Sequence, residues 1–152
     1  MDGNICAEEL LNRFAAGERE FNEVDVDGEE LAGASLSGIS LTNSWLDEML
    51  MDRIDFSGAN LSGTNFVQSS MVKANLRGAN LRGANLQYAN LSGSDLTDAI
   101  LIDACLTTAT MHDVNLSGTN LTDAEVDEYF WIERKIFNNT ILPDGSIRSN
   151  FS

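Results

Sequence analysis

The sequence predicts an all-β solenoid with one capping α-helix in front of it. Three observations carry that prediction: a five-residue apolar period running from Phe21 to Val126, a glycine recurring at one fixed place within it, and flanking segments of different composition. Every position in that span whose number leaves remainder one on division by five is Leu, Phe, Met or Val. The 22 positions hold 14 Leu, 3 Phe, 3 Met and 2 Val. Such repetition is the signature of units that bury an apolar side chain only by stacking on their neighbours.

The first element is a helical cap over residues 4–17. Ala7, Leu10, Leu11, Phe14 and Ala15 follow the i, i+3, i+4, i+7 spacing of an amphipathic helix. Asn4 is its expected N-cap and Gly17 its expected C′ residue, with Glu8 and Glu9 near the positive end of the dipole. The helix is expected to cover the open end of the first coil.

The second element, residues 19–128, is the repeat itself. Two residues before the large apolar side chain stands a small one, Ala in ten units. Between the two is Asn or Asp in eleven units, and nine of the twelve glycines fall two residues after the apolar position. The unit is therefore Ala-Asn-Leu-x-Gly. Five residues advance an α-helix by about 500°, which would scatter the leucines around the cylinder. On a straight strand an odd period would send them alternately to both faces. They share one side only if the chain turns a corner in every unit, and Gly and Asn tolerate the positive φ of such corners. The spacing of a leucine-rich repeat is absent. Periodicity alone leaves open how many units close one coil.

The third element, residues 129–152, breaks the pattern. Tyr129, Phe130, Trp131, Phe137 and Phe151 gather there, and Leu142-Pro143-Asp144-Gly145 reads as a turn holding the single proline. An intramolecular cap is the preferred reading of Tyr129, Phe130, Trp131 and Phe137. A homodimer through this end is the alternative, since aromatic residues are enriched at interface cores.

The run Ala74-Asn75-Leu76-Arg77-Gly78-Ala79-Asn80-Leu81-Arg82-Gly83-Ala84-Asn85-Leu86 resembles the pentapeptide-repeat family. The resemblance implies a right-handed quadrilateral β-helix with four units per coil, so that 22 units make about 5.5 coils and a column roughly 26 Å tall. The segment from Glu9-Leu10-Leu11 to Gly17-Glu18-Arg19 and the Leu-Pro-Asp-Gly ending resemble the flanks of cyanobacterial members. The resemblance also implies that some relatives dimerise through the C-terminal end. Others mimic DNA and occupy the DNA site of gyrase and topoisomerase IV, as in quinolone resistance.

Charge and chemistry narrow the function. With 24 acidic and 9 basic residues the net charge is −15, which argues against direct nucleic-acid binding. Residues 1–55 carry net −11, residues 56–94 no acid and three bases (Lys73, Arg77, Arg82), and residues 95–152 net −7. That acid-free waist interrupts the negative stripe a DNA mimic requires. No run is long and apolar enough for a membrane span. The start lacks a secretory leader, so a cytoplasmic location is expected.

Cys6 and Cys105 have no metal-ligand spacing, and His112 is the single histidine. The repeat serines have no base spaced to activate them. The expectation is a non-enzymatic protein with no catalytic residue, metal or cofactor, a rigid scaffold that binds another protein. Four units put an apolar residue at the outward Asn/Asp position: Trp45, Leu50, Ile100 and Cys105. The candidate contact residues are Trp45 and Leu50 with Asp47 and Glu48 between them, beside Met49.

Overall fold

The corner in each unit is built by one residue, the second after the large apolar side chain, held near φ +60°. Glycine takes that place at positions such as Gly78 (64°) and Gly83 (64°), and twelve other side chains, from Glu23 (58°) to Asp123 (57°), adopt the same conformation. The computed structural model describes residues 3–28 and 30–149, so Phe151 lies outside the described residues.

Turning at every unit brings the chain back into register after twenty residues. Parallel bridges link Ser40, Asn60, Asn80, Ile100 and Asn120 in one column and Asp25, Trp45, Asn65, Asn85, Cys105 and Glu125 in another. The amides alternate between the two neighbouring layers: Leu76 N donates to Asp95 O (2.8 Å) and Asn75 N to Ile54 O (2.9 Å). The result is a β-helix solenoid whose backbone groups are paired along the column.

The large apolar side chains fill its interior, and each one from Leu36 to Leu101 is fully buried. The small position lines the same interior. Where it holds a hydroxyl, the group donates to a backbone carbonyl, 23 residues earlier for Thr64 to Leu41 O (2.7 Å) and Thr119 to Leu96 O (2.8 Å), and three residues earlier for Ser69 to Phe66 O (2.8 Å). A buried hydroxyl without such a partner would be costly. Outside, every Asn or Asp at the outward position from Asp55 onward closes its own corner: Asn75 Oδ1 accepts from Arg77 N (3.3 Å) and Asp95 Oδ1 from Thr97 N (2.9 Å), whereas Asp25 makes no such bond among the described residues. Asn80 Nδ2 also donates to Asn60 Oδ1 in the next layer (3.2 Å).

At the N-terminal end, β1 (Asn4–Cys6) runs parallel to β2 (Asp25–Asp27) and supplies the backbone partners that the first coil needs. This displaces the expected N-cap. Asn4 lies in β1, its amide donating to Asp27 (3.1 Å), and the helix α1 (Ala7–Ala15) is capped by the Cys6 sulfur, which accepts from Glu9 N (3.4 Å). Gly17 does stand just beyond the helix with φ +103°. Glu18 N reaches back to Arg13 O and Gly17 N to Phe14 O, a Schellman ending. Leu10 is fully buried against the column.

The pairing does not stop at residue 128, where the five-residue period lapses. Asp127 caps a short helix, α2 (Glu128–Ile132), by accepting from Tyr129 N and Phe130 N. After it, β3 (Val114–Asn115) pairs in parallel with β4 (Lys135–Ile136) at an offset of 21 rather than 20, and Asn120 bridges Ile141 at the same offset. One residue has been inserted, so the interior positions slip to Phe137 and Thr140, 5% and 0% exposed.

Asn139, at φ +52°, turns the displaced corner. Gly145 N then closes on Leu142 O (2.9 Å), and β5 (Thr140–Ile141) pairs antiparallel with β6 (Ile147–Arg148). Pro143 and this reversal end the column.

Candidate protein-contact site

In half of the units the outward position carries Asn or Asp, which from Asp55 onward binds its own corner. Trp45 occupies that position with its indole 48% exposed. Its bridge partners are Asp25 on one side and Asn65 on the other, so an acid and an amide flank it at the strand spacing of about 4.8 Å. A groove of about 590 Å³ opens here, lined by Gly3, Asn4, Glu23, Asp25, Asn43 and Trp45. Glu23 and Asn43 hold positive-φ corners, and Asn4 of β1 lines the groove with Gly3 just before it, whose carbonyl accepts from Asp25 N.

The four candidate residues fall into two neighbouring places. Leu50, 52% exposed, lines a second groove of about 610 Å³ with Gly28, Asp47 and Glu48. Trp45 stands in the first groove. Met49 belongs to neither, because it takes the small inward position and is 2% exposed. Asp47 Oδ1 accepts from Asn65 Nδ2 (3.3 Å). Of the other outward apolar residues, Ile100 is 39% exposed, and the Cys105 sulfur lies 3.2 Å from the Thr107 hydroxyl.

The C-terminal aromatics also divide. Phe130 and Phe137 are buried with ring centroids 6.5 Å apart, whereas Tyr129 and Trp131 face solvent together with Ile132 and Ile136. The sequence reading missed the two isoleucines. Ile136 follows the outward Asn115 by 21 residues, so the shifted register gives it the outward position, and Ile132 ends α2.

Lys135 falls on the inward position one layer beyond Val114, and its side chain is fully buried. Its Nζ donates to Phe130 O (2.7 Å) and Glu133 Oε2 (3.2 Å) and lies 4.7 Å over the Phe130 ring. Burial pushes the ammonium pKa down, with Glu133 opposing.

His112 is exposed, its Nε2 3.3 Å from Asp113. Asp113 is also bound by the Arg134 guanidinium, which holds its carboxyl below the usual range. Among the described residues no group of three or more His, Cys, Asp or Glu is disposed to hold a metal ion, and no helix is long and apolar enough to cross a membrane. In the basic waist, Arg77 pairs with Asp95 (3.0 Å) and Arg82 with Asp103 (3.5 Å).

Residues 34–71 and 74–113, just over half of the chain, match the family of pentapeptide repeats in eight copies. Among solved structures, a pentapeptide-repeat protein of the Arabidopsis thaliana thylakoid lumen is 31% identical, with a TM-score of 0.51. That alignment covers 65% of this chain and 66% of the neighbour. The protein alr5209 of Nostoc PCC 7120 is 30% identical over 89% of this chain and 88% of its own, with a TM-score of 0.43. QnrB1, a plasmid-mediated fluoroquinolone resistance protein, is 16% identical over 94% of this chain and 83% of its own, with a TM-score of 0.47. No curated protein matches the chain. The unbroken repeat, the twenty-residue register and the family match agree: the chain belongs to the pentapeptide-repeat family.

Proposed function

We propose that the chain is a non-enzymatic scaffold, a right-handed, four-sided β-helix of about 5.5 coils, that binds another protein through outward positions departing from the repeat. The observation carrying this reading is Trp45, a half-exposed indole in a groove, at a position where half of the units put Asn or Asp. An interior filled by apolar side chains makes the column a rigid support, so recognition is left to the exterior. Leu50, with Asp47 and Glu48, extends the contact into the adjoining groove.

The test compares proteins retained from cell extract by the immobilised wild-type chain with those retained by Trp45→Ala and Leu50→Ala. Both positions are outward, so the fold should survive both changes, checked by circular dichroism. The expected outcome is a protein held by the wild type and lost with the variants. An unchanged retained set would overturn the assignment.

Two further roles stand beside this one. Tyr129, Trp131, Ile132 and Ile136, exposed together at the C-terminal end, favour self-association there. Mimicry of DNA against gyrase or topoisomerase IV draws less support. Residues 56–94 hold no acid, and beyond them Asp95 and Asp103 are already paired with Arg77 and Arg82.

A further inference from the structure

We infer that the Trp45 groove is a binding site for arginine, and that its occupant is an arginine side chain on a basic segment of the partner protein. This deepens the protein-binding reading above and rests on it. Three features of the groove point to a planar cation.

The first is the indole. It is half exposed and stands between layers at a position where the repeat ordinarily forms an Asx corner. An indole face is the strongest aromatic acceptor for a cation, and guanidinium stacks flat upon it.

The second is the state of the neighbouring acids. Asp27 accepts from Asn4, Glu20 from Asn22, and Asp47 from Asn65. Glu23 and Asp25, the two acids that line the groove with Trp45, have no side-chain hydrogen bond or ion pair among the described residues. Two unengaged carboxylates beside an aromatic face match a group that stacks and donates in one plane.

The third is the absence of a cation of this chain to fill the site among the described residues. Arg13 is bound to Glu18 and Glu9 at the helix. Arg19 donates to the Phe14 and Glu18 carbonyls and lies over the Phe14 ring. Arg53 lines a separate cleft with Lys73. Residues 1–55 carry net −11, so the local field attracts a cationic segment. The groove's 590 Å³ lies within the range of about 300–1,000 Å³ usual for ligand pockets, room for a side chain with its flanking backbone.

The probe is a labelled peptide, acetyl-Gly-Arg-Gly-Arg-Gly amide, titrated against the full chain and followed by fluorescence anisotropy at low salt. Its counterparts carry lysine or neutral citrulline in place of arginine. In a Trp131→Phe background, Trp45 emission provides a second readout at the site itself.

The expected result is saturable binding with quenched Trp45 emission, tighter for arginine than for lysine and lost with citrulline. Trp45→Ala, and the pair Glu23→Gln with Asp25→Asn, should each weaken binding by roughly threefold to tenfold. Glu128→Gln, at the far end of the chain, should leave it unchanged. The inference is overturned by absent saturation, by equal affinity for the arginine and lysine peptides, or by equal weakening in Glu128→Gln, which would mark a diffuse response to net charge. If extract proteins still depend on Trp45 while the arginine peptide fails to bind, the scaffold reading stands and this one falls. If the peptide binds and no extract protein depends on Trp45, the site stands and the scaffold reading falls.

Discussion

At the scale of the residue, the five positions of each unit do different work, and most of it can be read from side-chain type. The apolar and small positions face inward and the Asn position closes the corner. The corner residue sits at φ near +60°, a cost of roughly 1–2 kcal/mol for an L-residue with a side chain. Thr108 is the β-branched residue among them, at φ +59°. Thr108→Gly relieves that strain, at an entropic cost of about 0.5–1 kcal/mol. The expected outcome is a small rise in thermal midpoint, worth up to about 1 kcal/mol; the reverse change, Gly118→Ala, forces a methyl against the Asp98 carboxylate at φ +68° and should lower it. Calorimetry on both variants checks the pair. What residue type could not show was direction at the exceptional units. Met49 and Trp45 are both large apolar residues off the main period, yet Met49 is buried and Trp45 exposed because one stands two places and the other one place before an interior residue.

At the scale of the element, the helix α1 was legible because amphipathic spacing is a local property, and so was Gly17 at its end. The strand β1 was not, because three residues become a strand only where a partner edge awaits them, and that edge lies 21 residues away in sequence. The C-terminal layer was hidden by a single inserted residue that shifts the register and ends the phase on which the sequence reading relied. Lys135 is a consequence of that shift, a lysine at an inward position, held by the Phe130 carbonyl and Glu133. Because burial depresses its pKa below the unfolded value, the unfolded chain binds more protons than the folded one in the window just under the ordinary lysine pKa of about 10.4. Stability attributable to Lys135 therefore rises as pH increases through that window. Denaturant unfolding should show wild type gaining on Lys135→Met between neutral and alkaline pH. A constant difference would show that Lys135 is not depressed.

At the scale of the molecule, the two ends are unlike, and the self-association proposed for the C-terminal end turns on that difference. The N-terminal end is closed by β1 and α1, whose strand satisfies β2 and whose Leu10 is buried. The C-terminal end leaves Tyr129, Trp131, Ile132 and Ile136 exposed beyond the paired layer of β3 and β4. A patch that meets its own copy closes as a two-fold dimer. Opposing this, each chain carries −15, so two copies repel at low ionic strength and salt screens the repulsion over about 10 Å at 0.1 M. Light scattering should therefore show a mass that rises toward twice the chain with concentration, more readily at high salt, and that stays single for Trp131→Glu. Apolar contact strengthened by screening is the combination expected of this end; association that weakened with salt would point instead to charge pairing elsewhere on the column. A strict monomer at high concentration and high salt would leave the four exposed side chains as the outer surface of a cap.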